Sequence, residues 1–260
     1  AAWVSRWTVQ CSGGLVGQQI LIDGLERTNT DALVRYQDPD GDSFTTRLTP
    51  DQPGFVPPEN PGALRVLFDY ILLSADHILE GFDHLLFVFA LLLLIRDKWR
   101  LVGAITAFTV AHSITLAAAS MGWLTVPGPP VEAVIALSIV FLAVELAKRH
   151  DGAPRLSERW PWLVSFSFGL LHGLGFAGAL REIGLPEGDL QMALLGFNIG
   201  VEIGQLAFVA VVLALAALAI KIVPTIRTQL RRSDGLVNTA LAYGIGSVAA
   251  YWVVERISGF

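Results

Sequence analysis

The hydrophobic rhythm of the chain changes near residue 60. Before that point polar and apolar residues alternate singly, as in Trp3-Val4-Ser5-Arg6-Trp7-Thr8-Val9. A period of two marks strands with one buried face. Asp38-Pro39-Asp40-Gly41-Asp42 is a turn signal between two such runs. Residues 1–60 therefore read as a small β domain of three or four strands. Pro53, Pro57, Pro58 and Pro61 read as a linker. From Leu64 onward the chain is a series of long apolar runs, and roughly 20 apolar residues suffice to cross a bilayer. The runs predict helices at roughly 67–95, 101–121, 131–148, 161–181, 190–220 and 236–256. Pro127-Gly128-Pro129-Pro130 separates the second from the third. The first and fifth exceed a bilayer core and are expected to tilt or to extend beyond it. The expected fold class is mainly α: a polytopic transmembrane bundle of about six spans over residues 61–260, preceded by a small extracytoplasmic β domain.

Composition supports a lipid environment. Hydrophobic residues make up 53% and charged residues 16%, with a mean hydropathy of +0.56, against about 25% charged residues in soluble domains. The net charge of −5 comes without a basic block, so no nucleic-acid partner is expected. Cys11 is the single cysteine, which excludes an internal disulfide and a thiolate cluster. Met121 and Met192 are too few for a thioether copper relay. The sequence opens on Ala1, so the start of the β domain is expected to lie in a longer precursor.

Loop charge sets an expected orientation. Arg96, Lys98 and Arg100 follow the first span. Lys148, Arg149, Arg155 and Arg159 follow the third, and Lys221, Arg227, Arg231 and Arg232 the fifth. The opposite loops hold only Arg181, with Arg256 at the tail. By the positive-inside rule the basic side is cytoplasmic, and both termini are extracytoplasmic. In a bacterium this describes a multi-pass protein of the inner membrane, with the β domain as a candidate docking surface for a periplasmic or membrane partner protein.

Ionisable side chains inside such spans cost about 2.5–3.5 kcal/mol even on a lenient scale, so they need partners or a task. The first span carries Asp76, His77, Glu80, Asp83 and His84. Offsets of three and four would set these on one face of a continuous helix. Asp83-His84 lies about twelve residues, or roughly 17 Å, from the basic end, near the midplane. His112 on the second span and His172 on the fourth fall at a similar depth. Asn198, Glu202 and Gln205 share a face of the fifth. One such histidine alone is as often a structural hydrogen-bonding residue as a ligand; four spans with polar groups at one level favour a shared site. Glu132 and Glu145, near the ends of the third span, read as solvated or pairing residues, and His150 as a loop residue.

Imidazole and carboxylate ligands suit a divalent transition metal ion such as Ni, Co or Zn rather than Cu(I). Asp83, His84, His112, His172 and Glu202 are the candidate ligands, with His77 beside them. Asn198, Gln205 and Ser113, with Asp76 and Glu80, are candidates for orienting them. A proton relay would use the same residue types. Gly169 and Gly173 on the fourth span, and Gly196, Gly200 and Gly204 on the fifth, allow close helix approach. The Asp-rich turn at 38–42 lacks the glycine position of a calcium loop and reads as a plain hairpin turn.

Four motifs in order resemble a known family. His77-Ile78-Leu79-Glu80-Gly81-Phe82-Asp83-His84-Leu85-Leu86 resembles the first-helix signature of HupE/UreJ membrane proteins. Phe108-Thr109-Val110-Ala111-His112-Ser113-Ile114-Thr115-Leu116, His172-Gly173-Leu174-Gly175-Phe176-Ala177 and Phe197-Asn198-Ile199-Gly200-Val201-Glu202-Ile203-Gly204-Gln205 resemble its other motifs. The resemblance covers about residues 70–220. It implies a nickel or cobalt permease in which His77, Asp83, His84, His112, His172, Asn198 and Glu202 serve the ion. The first motif has Ile78 where hydrogenase-type members tend to have Pro, and the external β domain matches a larger branch of the family.

Three readings follow. A divalent-metal permease would pass the ion from near Asp76, His77 and Glu80 through the midplane ligands to the basic side. Opposed halves (spans 1–3 against 4–6) would suit an inverted repeat. An intramembrane metal-dependent enzyme would use Glu202 or Asp83 as a base. An accessory subunit would bind a partner protein and use the polar cluster to lock the bundle. No ATP-binding motif is present, and an enzyme is the least favoured of the three.

Overall fold

A computed structural model describes residues 15–28, 32–37, 43–57, 63–148, 155–183, 190–225 and 235–259. The chain divides into two compact units: residues 1–66 with 184–190, and residues 67–183 with 191–260.

In the first unit the described strands form two separate antiparallel pairs. β1 (Ile20–Leu21) pairs with β4 (Gly54–Phe55), and β2 (Ala32–Gln37) pairs with β3 (Ser43–Leu48) in the register Ala32↔Leu48 to Gln37↔Ser43. The Asp-rich turn and the Trp3–Val9 run lie outside the described residues. Pro53 and Pro57 are not linker residues. Their carbonyls accept the amides of Ile22 (3.0 Å) and Gly17 (3.1 Å), so they close the edge of the β1–β4 pair. Leu25 and Leu48 are buried apolar side chains of this unit.

The second unit is helical. Its elements are α1 (Ala63–Glu80, whose first residues belong to the first unit), α2 (Phe82–Leu94), α3 (Lys98–Ser120), α4 (Gly128–Ala147), the single turn α5 (Leu156–Arg159), α6 (Pro161–Ile183), α7 (Leu190–Ile222) and α8 (Leu236–Ser258). Among the described residues four helices, α3, α4, α7 and α8, are each long and apolar enough to cross a membrane, and α1 with α2 makes a fifth if the bent pair counts as one span. The expected fourth span, 161–181, is α6, a helix of 23 residues. The molecule is a multi-pass membrane protein; α7 shows this most plainly, with Val211, Leu215 and Leu218 all exposed along a helix that reaches roughly 50 Å at 1.5 Å per residue.

The first apolar run does not tilt as one helix; it breaks. α1 and α2 meet at 76°. The hinge is Gly81, at φ −77°, ψ 84°. A Cβ there would lie 2.9 Å from His84 Nδ1 and 3.1 Å from the His77 carbonyl, so glycine is what lets His84 fold back over the end of α1. Pro127 precedes α4, and Pro129 and Pro130 sit inside its first turn, where a missing N–H costs nothing. The third span thus starts before the expected residue 131.

Small residues set the helix contacts that hold the site. α6 lies along α3, with Gly169 against the Phe108 carbonyl and Gly173 against the His112 carbonyl and Thr115 Oγ1. α7 lies along α1, with Gly196 on Leu67, Gly200 on Ile71 and Ser74, and Gly204 on Ile78. Apolar helices gain nothing from leaving lipid for one another, so close packing of this kind drives their association. α4 packs on α8, and Phe87, Leu91, Ile105, Phe108, Ile139 and Leu142 fill the interior.

One end of the bundle gathers two of the basic loops. Arg100 donates to the carbonyls of Glu158 (2.9 Å) and Arg159 (3.1 Å). The Glu145 carboxylate accepts the amides of Leu156 (3.0 Å) and Ser157 (2.8 Å). Residues 96–100 and 145–159 are thereby tied together, while residues 226–234 lie outside the described residues.

Candidate functional site

The break at Gly81 places Asp83 and His84 in the first turn of α2. Asp83 Oδ1 accepts the His84 amide at 2.9 Å and lies 3.0 Å from His84 Nδ1. A carboxylate at that distance fixes the proton on Nδ1. The lone pair is then on Nε2, which is buried with no hydrogen-bond partner. His77, in the last turn of α1, packs its ring 5.5 Å from that of His84. The expected shared face of a continuous helix does not exist; the sharp bend brings the two rings together instead.

α6 supplies His172, its ring 5.2 Å from His84. Ser138 on α4 has its Oγ 2.6 Å from the Ile135 carbonyl and 3.3 Å from His172 Nε2. The hydroxyl hydrogen goes to the shorter contact, so the hydroxyl oxygen accepts from Nε2–H. That leaves the His172 lone pair on Nδ1, again buried without a hydrogen-bond partner. α3 supplies His112, which is 1% exposed and has neither ring nitrogen hydrogen-bonded. Both tautomers follow from the hydrogen-bond network.

Aromatic rings wall this cluster. Phe108 lies 5.0 Å from His172 and 6.0 Å from His112, and Phe87 lies 5.2 Å from His172. Phe197 on α7 stacks on His112 at 6.4 Å and also approaches His77 at 6.0 Å.

Asp83 is engaged on both oxygens. Oδ2 accepts from Arg256 on α8 at 3.2 Å. Arg256 also donates to the Glu132 carbonyl at 2.7 Å, lies 3.8 Å from the Glu132 carboxylate, and covers the Trp252 ring at 5.9 Å. Sequence reading placed Arg256 at the tail and read Glu132 as a solvated or pairing residue near a helix end; the pairing with Arg256 is what the structure has. No spacing rule links residues so far apart in the chain. Ser138 and Thr106 were missed as well, because a hydroxyl in an apolar helix is an ordinary residue until its partner is known.

The polar side chains of α7 have other hydrogen-bond partners than the histidines among the described residues. Glu202 accepts from Thr106 Oγ1 at 2.6 Å and hydrogen-bonds no histidine. Asn198 Nδ2 donates to the Leu194 carbonyl (2.7 Å), and Ser113 to the Thr109 carbonyl (2.7 Å), so both are turned onto their own helices. The Asn198 and Gln205 side-chain carbonyls are buried without hydrogen-bond partners. Glu80 is exposed, and the side chain of Asp76 lies outside the described residues.

Among the described residues no three His, Cys, Asp or Glu side chains converge to hold a metal ion as they stand. The donor chemistry nonetheless fits one. Neutral imidazoles with buried lone pairs are ligands for Ni, Co or Zn, and the Asp83–His84 and Ser138–His172 pairs are the outer hydrogen bonds that fix ligand tautomers. The fit concerns atom type and protonation; convergence on one ion requires ring rotation.

A family model described as HupE / UreJ protein matches residues 58–256. The span includes the hinge, all the residues above and the terminal arginine helix. No curated protein matches the chain, and no solved structure matches it.

Proposed function

The chain belongs to the HupE / UreJ family, and on that premise we propose that it is a permease for a divalent transition-metal ion, with nickel or cobalt favoured. The observation that carries this reading is the set of buried imidazole nitrogens without hydrogen-bond partners: His84 Nε2, His172 Nδ1 and both nitrogens of His112. A buried polar atom left unsatisfied costs about 1–3 kcal/mol. Three histidines from three helices bear that cost side by side. A cation passing through would offset it, exchanging its waters for imidazole.

His84 and His172 are the primary ligands in this reading, with His112 and His77 adjoining. Asp83 orients His84 rather than binding the ion. Glu202, with Thr106, is a separate polar station on the α3–α7 side. The basic loops tied together by Arg100 face the cytoplasm of a bacterium across its inner membrane, by the positive-inside rule, with both termini and the β unit outside.

Uptake of radiolabelled nickel or cobalt into proteoliposomes tests the proposal. His84→Ala, His112→Ala and His172→Ala are each expected to reduce initial uptake about tenfold or more, as loss of an ion ligand does. Uptake unchanged in all three would overturn it.

A further inference from the structure

The best-anchored charge beside the histidines comes from the far end of the chain. Arg256 is held by four groups on three elements: Asp83 on α2, the carbonyl and carboxylate of Glu132 on α4, and the face of Trp252 on its own helix. A guanidinium keeps its proton at any physiological pH, and its planar fork loses little freedom in such a cradle. Arg256 and Asp83 are both largely screened from solvent, with side chains 21% and 18% exposed.

We propose that Arg256 is a resident counter-cation that sets how tightly the histidine cluster holds its cargo. This rests on the ion-binding part of the permease reading. Asp83 sits between two claims on its charge: Oδ1 on the His84 ring and Oδ2 on Arg256. While the arginine is in place, the carboxylate orients His84 and its field at the cluster is offset by the guanidinium; the Glu132 carboxylate that shares Arg256 is farther from it, at 3.8 Å, and 52% exposed. A divalent ion then meets neutral imidazoles and a charge-balanced pair. That is binding strong enough to strip water and weak enough to release, as a permeation site requires. Without the arginine the same carboxylate would stand unbalanced beside the ion, where water screens the attraction little. Arg256 is a positioning and charge-balancing residue and touches no cargo itself.

The proposal predicts a pattern that lost packing would not produce. Nickel, cobalt and zinc binding is measured by calorimetry on the full chain in detergent, separately from uptake in proteoliposomes. Arg256→Gln is expected to tighten binding about tenfold or more while slowing maximal uptake, so that KM and turnover fall together. Asp83→Asn, which still accepts from His84 but leaves the arginine unbalanced, is expected to weaken binding by a similar factor. The doubly neutral Asp83→Asn/Arg256→Gln pair is expected to return to within about threefold of the unaltered protein, the mark of two coupled charges. Arg256→Lys is expected to stay near the unaltered affinity. Weakened or unchanged binding in Arg256→Gln, with size-exclusion profile and melting intact, would overturn the proposal. If that variant does not fold, a double variant binding as weakly as Asp83→Asn alone overturns it. Binding that follows this pattern without any uptake overturns the permease and leaves the role of Arg256 standing.

Discussion

Two faces of the helical unit are built in different ways. Where α6 meets α3 and α7 meets α1, helices touch backbone to backbone through Gly169, Gly173, Gly196 and Gly200, and the first of these interfaces joins the helices of His112 and His172. Where α4 meets α8, the glycine contact is looser: a Cβ on Gly246 would lie 3.3 Å from the Ala143 methyl. This second face carries the paired charges of Glu132 and Arg256. The first face has histidine nitrogens without partners, and the second has charges with several. The glycine interfaces bring the helices of His112 and His172 together and leave His172 Nδ1 and both His112 nitrogens without hydrogen bonds, whereas the α4–α8 face pairs its charges and holds Asp83.

The contrast can be broken at defined positions. The largest effect is expected from Gly173→Ala and Gly200→Ala. The new methyl would run into the His112 carbonyl and Thr115, or into Ser74 and the Ile71 carbonyl, none of which is the flexible tip of a long side chain. Overpacking of this kind costs about 1–3 kcal/mol or more; melting in detergent should fall by several degrees and cation binding should weaken with it. Next is Thr106→Val, which removes the donor to Glu202. A loss of about 1–2 kcal/mol is expected, and cation affinity at the histidines should not change, because the two polar stations are separate. Altered calorimetric affinity in this variant would merge them.

Ser138→Ala tests tautomer control with a smaller effect. Losing the partner of His172 Nε2 should cost about 0.5–1.5 kcal/mol of stability. It should also shift the His172 ring nitrogen signals in NMR, since the proton is no longer directed to one nitrogen. The smallest effect is expected at Gly103, where a Cβ meets nothing within 4 Å. Gly103→Ala should be neutral or stabilise α3 by about 0.5–1 kcal/mol through helix propensity, measured as an unchanged or slightly raised melting temperature. A loss there as large as at Gly173 would end the distinction between tight and open glycines.

Much of this was legible in the chain. Apolar runs predicted the helices because lipid demands continuous apolar length. The histidines stood out because an imidazole in such a run is costly. The glycine spacings on α6 and α7 pointed to close contact, though not to the neighbour that fills each position. The hinge was not legible: Gly81 is one small residue inside an apolar stretch, and many glycines of that kind remain helical. The arginine partner of Asp83 was not legible, because a carboxylate beside a histidine looks the same in sequence whatever its second oxygen faces. Thr106 as the partner of Glu202 was not legible either, because depth along a helix axis says nothing of rotation about that axis.

The sequence by itself determined that the chain enters a membrane, which of its segments are helical, and which few polar residues bear the cost of being there. Those are local properties, written in runs of about 20 residues. Only the tertiary structure decided that α1 and α2 meet at 76° so that His77 faces His84, that Ser138 and Asp83 choose the ring nitrogens left with lone pairs, and that Arg256 pairs with Asp83. Those are choices of partner, and a partner is set by which helix faces meet.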